Sequence, residues 1–147
     1  IKAARSFDTP ESWYLGGFQW PVTGRISGVY GSQRILNGEP RQPHFGVDIA
    51  RGEGEPIHAP QKGIVRLAQH DMYFTGGTTV LDHGQGITTS YLHQSRLDVA
   101  VGDTVEAGQV IGLIGKTGRA TGPHLCWRMN WFQERLDPQL AAPEMPG

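Results

Sequence analysis

The segment GPHLCWRM (122–129) sets an imidazole and the chain's single thiol two residues apart. In an extended strand successive side chains point to opposite faces, so His124, Cys126 and Arg128 share one face and Leu125, Trp127 and Met129 the other. PHFGVDIA (43–50) repeats the plan, with His44, Gly46 and Asp48 on one face and Val47 and Ile49 behind. Pro43, Gly46 and the β-branched residues favour an extended segment here over a helix, and Gly46 is expected to leave open space between His44 and Asp48. Imidazole, carboxylate and thiolate are all zinc ligands, and three of them beside an open position make a catalytic site. A lone cysteine is usually a small buried hydrophobe, but the parity sets Cys126 away from the apolar side of its strand.

The elements that must hold these groups read as short strands. The 147 residues include 21 Gly and 10 Pro, spread along the chain, which favours strands and turns over helices. GIVRLAQ (63–69) alternates weakly. TTVLDHGQGITTSYLH (78–93) reads as two strands joined by a glycine-rich turn, and DTVEAGQVIGLIG (103–115) as a strand pair with a tight Ala107–Gly108 turn. The expectation is an all-β chain, an antiparallel β sandwich of two sheets or a partly open barrel. Residues 1–17 read as a short N-terminal arm, 18–140 as one domain and 141–147 as a Pro-rich tail. His58, His70 and His83 read as turn or surface residues. Asp82 and His83 are strand neighbours facing opposite ways, which argues against a metal pair.

Composition narrows the function. A formal net charge of −1 gives no electrostatic support for binding nucleic acid or a membrane surface. No apolar run reaches the ~18 residues of a membrane span. One cysteine cannot form an intramolecular disulfide. The chain begins at Ile1, so the missing export signal is silent on location. VGDTVEAGQVIG resembles the hairpins of lipoyl or biotinyl carriers, but neither Lys62 nor Lys116 sits at a suitable turn tip.

HFGVD, TSYLHQS and GKTGRATGPHL, framed by WPVTGRISGVYG, PIHAPQKGIV and VLDHGQG, together resemble the lysostaphin/LytM-type zinc endopeptidases, which cut peptidoglycan peptides. The likeness runs from about Trp20 to Leu140 and implies a duplicated hybrid motif, a two-sheet antiparallel fold with the metal in a groove. It implies that His44 and Asp48 are zinc ligands and that His93 and His124 are catalytic. Cys126 stands where the family has its third ligand, a histidine. Tyr30, Arg34, Asn37 and Arg41 are candidates for lining the groove. The expected function is zinc-dependent hydrolysis of peptide bonds in peptidoglycan cross-links or stem peptides by an exported protein of the periplasm or cell envelope. The alternative is a catalytically weak or inactive LytM-like domain that binds cell wall or activates a wall amidase, with a cell-wall amidase or a division protein as its partner.

Overall fold

The computed structural model describes residues 5, 7–28, 35–36, 39–40, 46–72, 75–117, 122–140 and 142–143. The described strands are β1 (Arg25–Gly28), β2 (Ile35–Leu36), β3 (Glu39–Pro40), β4 (Val47–Ala50), β5 (Pro56–His58), β6 (Gly63–Met72), β7 (Gly76–Asp82), β8 (Ile87–Leu97), β9 (Thr104–Val105), β10 (Val110–Ile114), β11 (His124–Trp131) and β12 (Glu134–Leu136). The expected all-β, antiparallel architecture is what is found. Ten strands join in one open sheet with the path β1-β4-β11-β8-β7-β6-β9, extended by β5, β10 and β12, while β2 and β3 form a separate ribbon. Among the described residues the helical elements are 3-10 turns, at Trp13–Gly16 and Pro138–Leu140.

One face of the sheet supplies the core. Val47 and Ile49 of β4, Leu125 and Trp127 of β11, Tyr91 of β8, Leu81 of β7 and Val65 of β6 lie in one apolar cluster. Each such side chain gains roughly 1.5–3 kcal/mol on full burial, so the period-2 pattern dictates which face turns inward. β11 lies between β4 and β8, with Cys126 opposite both Asp48 and Leu92, and Trp127 opposite both Val47 and Tyr91.

Two local expectations differ from what is found. β9 and β10 flank the Ala107–Gly108 turn but do not pair with each other: β9 joins β6, and β10 joins β5 and β8. The backbone groups that would close that hairpin go elsewhere, because Gly108 N donates to Ala59 O at 2.8 Å and Gln109 O accepts from Ala59 N at 2.7 Å. His83, expected on the surface, is completely buried. Its Nδ1 donates to Lys62 O at 2.9 Å, and its Nε2 lies 2.7 Å from Thr89 Oγ1, which continues to Tyr91 Oη at 2.6 Å.

The arm residues cover this turn. Tyr14 N donates to His83 O at 3.2 Å, and Phe18 meets the imidazole edge-on. Beside them the buried Asp82 accepts from Thr9 Oγ1, from Arg66 Nε at 3.1 Å and from Gly84 N at 2.9 Å. Gly84 has φ +100°, and a Cβ there would fall 1.8 Å from Glu11 O, so the arm can lie this close only over glycine.

Burial holds the His83 pKa down at about 4, against 6.5 ordinarily, outweighing its hydrogen bond to Lys62 and the nearby Asp82 charge. Between those values the unfolded chain binds more protons than the folded one. Stability should therefore be full above about pH 6.5 and fall as the pH drops toward 4, by on the order of 3 kcal/mol. Urea-unfolding midpoints measured across that window should show the slope, and His83→Gln should flatten it.

Candidate active site

Period-2 alternation delivers Asp48 and Cys126 to the sheet face opposite the core, at the same register level of β4 and β11. His124 opens β11, two residues before Cys126, and its Nε2 lies 3.7 Å from Asp48 Oδ1. The His124 Nδ1 is 2.9 Å from Gly122 O. A carbonyl only accepts, so Nδ1 carries a proton and Nε2 is the ring nitrogen turned toward Asp48.

His93 arrives by a different route. Leu92 pairs with Cys126 and Tyr91 points into the core, so strict alternation would send His93 into the core as well. Instead its φ is +64°, a left-handed conformation that side chains other than glycine seldom adopt. The β7 partner register also slips there, from Thr79↔Tyr91 to Gly77↔Gln94. Such a bulge re-aims a side chain. The His93 ring accordingly comes to 4.9 Å from the ring of His124, centre to centre.

Thr117 fixes that ring, and no sequence signal pointed to it. Its carbonyl accepts from His93 Nδ1 at 2.6 Å, while its hydroxyl accepts from Gly77 N and donates to Gln94 O, both at 2.9 Å. His93 Nδ1 is thus the donor, which leaves Nε2 as its free ring nitrogen. Its pKa is lowered chiefly by burial. The Thr117 hydrogen bond opposes this, the His124 charge adds to the lowering, Asp48 opposes it and Arg128 adds again.

Gly46 does not provide the expected open space. A Cβ there would lie 2.8 Å from Arg128 Cγ, 3.0 Å from Trp127 O and 3.2 Å from Cys126 Sγ, so β11 packs directly on it. These contacts also place the Cys126 sulfur on the side of Arg128 and away from the apolar cluster, although the residue is buried. Arg128 is half-buried rather than freely solvated.

Tyr30, Arg34, Asn37, Arg41 and His44 lie outside the described residues. Among the described residues no three His, Cys, Asp or Glu side chains form a metal cage. The carboxylate, thiol and imidazole that share the site face nonetheless match zinc in donor chemistry.

Residues 42–138 match peptidase family M23. The chain belongs to that family. The M23 chain is 39% identical over 106 residues to the peptidoglycan DD-endopeptidase ShyA of Vibrio cholerae, a match covering 71% of this chain and 24% of ShyA. A zinc containing peptidase from Vibrio cholerae superposes with a TM-score of 0.77 at 30% identity, over 88% of this chain and 41% of that one. The catalytic domain of lysostaphin from Staphylococcus simulans superposes with a TM-score of 0.69 at 29% identity, over 90% and 97%. The resemblance read from the sequence is thus a family relationship. The M23 chain spans about a quarter of its curated relative.

Gly46→Ala should destabilise the M23 chain by roughly 1–3 kcal/mol, because backbone at Trp127 and the stems of Cys126 and Arg128 must give way. The shift in thermal midpoint of the purified protein reads this directly. An unchanged midpoint would mean that β11 does not sit on Gly46.

Proposed function

We propose that this chain is the catalytic domain of a zinc-dependent endopeptidase that hydrolyses peptide bonds in peptidoglycan cross-links or stem peptides. The observation that carries the reading is the His93–His124 pair, 4.9 Å apart, with each Nδ1 tied to a carbonyl. Two imidazoles held in one tautomer beside a carboxylate are suited to moving protons. The names of the M23 relatives supply the substrate class, and that class sets the work outside the cytoplasm.

His44, Asp48 and Cys126 would hold the ion. When bound, zinc supplies Lewis-acid activation of water and of the scissile carbonyl. The remaining work belongs to side chains. His93, kept neutral by burial, takes a proton from the attacking water through its bare Nε2 or returns one to the leaving amine. His124 stands beside it, where its Nε2 can accept a hydrogen bond from the attacking water and orient it. Thr117 keeps the His93 ring from turning, so each transfer starts from one geometry. With zinc bound, Cys126 would supply a thiolate where the family has a neutral imidazole, which would lower the site's charge by about one unit and weaken the Lewis acidity available there.

Metal analysis combined with digestion of purified cell-wall sacculi tests the proposal. The protein should carry about one zinc per chain and release peptide cross-links. A chain with zinc that binds sacculi without cleaving them would make this a binding domain instead. His93→Ala should keep its zinc and lose ~10²–10⁴-fold in rate. Loss of metal in that variant would make His93 a ligand and overturn its role.

Peroxide gives an independent readout of the thiol. Zinc should leave the wild-type protein as Cys126 oxidises, and Cys126→His should retain it. Equal zinc retention in both would remove Cys126 from the ligand set.

A further inference from the structure

Beyond Cys126, the site face continues for two more register levels, Arg128 opposite Ser90 and Asn130 opposite Thr88. Thr88, Ser90 and Asn130 are almost fully buried, at 1%, 1% and 2% exposure. Thr88 Oγ1, Ser90 Oγ, Arg128 Nε and Asn130 Nδ2 are all buried without a hydrogen-bond partner. Each such group gives up the hydrogen bond it makes to water in the unfolded chain, and folded chains seldom leave several adjacent. Asp82, on the same sheet, collects donors from Thr9, Arg66 and Gly84, while Gln94 Nε2 and Trp127 Nε1 are single buried atoms without a partner elsewhere on it.

Charge accumulates at the same place. Arg5 is half-buried, and its Nε also lacks a partner. Burial first, then the charges of Arg128 and Arg135, hold the Arg5 pKa below the usual arginine value. Like charges gathered in a partly desolvated place are favourable only when an anion joins them. In the other direction the stem of Arg128 crosses Gly46 and its charge reaches His93. At about 3.4 Å per residue, Arg128 stands roughly 7 Å along β11 from Cys126, the span of about two extended residues.

We propose that Arg128, with Ser90 opposite it and Thr88 and Asn130 at the next level, is a carboxylate-binding subsite that holds a free carboxyl group of the peptide substrate within two residues of the bond to be cut. A guanidinium takes a carboxylate with two parallel hydrogen bonds, and the oxygens keep lone pairs for hydroxyl and amide donors beside it. The subsite rests on the reading of this chain as a wall-peptide hydrolase. It adds a preference: peptides with a free carboxylate near the scissile bond over the same peptides with that group amidated.

The test is a binding measurement, so that it reads separately from cleavage. Calorimetric titration of the His93→Ala protein would use a stem pentapeptide ending in D-alanyl-D-alanine, with its C-terminus free or amidated. The free acid should bind at least about 10-fold more tightly, the worth of one charge-assisted hydrogen-bond pair. Arg128→Gln should remove that preference by weakening the acid alone, and Arg128→Lys should restore part of it, as a point charge without the fork. Equal affinity for acid and amide in the parent protein would overturn the subsite and leave buried water as the partner of these groups. A uniform loss for both peptides in Arg128→Gln would do the same. Cleavage of sacculi by the wild type bears on the proposed function alone, because the acid–amide comparison is made without turnover.

Discussion

The antiparallel register of β11 between β4 and β8 is the constraint on which the site depends. Trp127 and Leu125 are wholly inside the apolar cluster, packed with Val47, Ile49 and Tyr91. A slip of one residue would turn His124, Cys126 and Arg128 into that cluster and expose the indole. Losing the burial of two such side chains amounts to several kcal/mol, comparable with the whole stability of a domain. The apolar half of the strand thereby fixes the register of the polar half, using none of the polar groups to do so.

Two departures from regularity complete the arrangement. At His93 the chain leaves the strand conformation, and the resulting strain, of order 1–3 kcal/mol, is borne by the pairing of β8 with β7, β10 and β11 on either side. At Gly46 a missing side chain lets β11 lie against the segment that leads into β4. The first departure moves an imidazole onto the site face, and the second brings the site strands together. Neither contributes to the core.

The N-terminal arm belongs to the other end of the sheet. Its anchors, Thr9 on Asp82 and Tyr14 on the His83 carbonyl, gather where β7 turns into β8. Asp82 pairs with Thr88, four residues along β8 from Leu92 at the site, or about 14 Å. Those anchors therefore bear on the stability of the fold more than on the reaction, while Arg5, farther up the same arm, approaches Arg128.

How much of this was legible from the residues follows the range of the forces involved. Alternation along 124–129 and 46–49 is local, so the all-β class, the inward face and the common face of Asp48, His124 and Cys126 could be read directly. His93 could not be reached by parity, which points it into the core, and came only through family resemblance. Its left-handed backbone is imposed by three neighbouring strands. The burial of His83 is hidden from the sequence because the residues covering it, Tyr14 and Phe18, lie about 65 to 70 positions away. The β9–β10 hairpin was read wrongly because Ala59, distant in sequence, takes the backbone groups that would have closed it. Sequence by itself determined which side chains want the interior and which can do chemistry. The tertiary structure decided which strands meet, where one of them must bulge and what covers the polar face, because those depend on contacts between residues far apart in the chain.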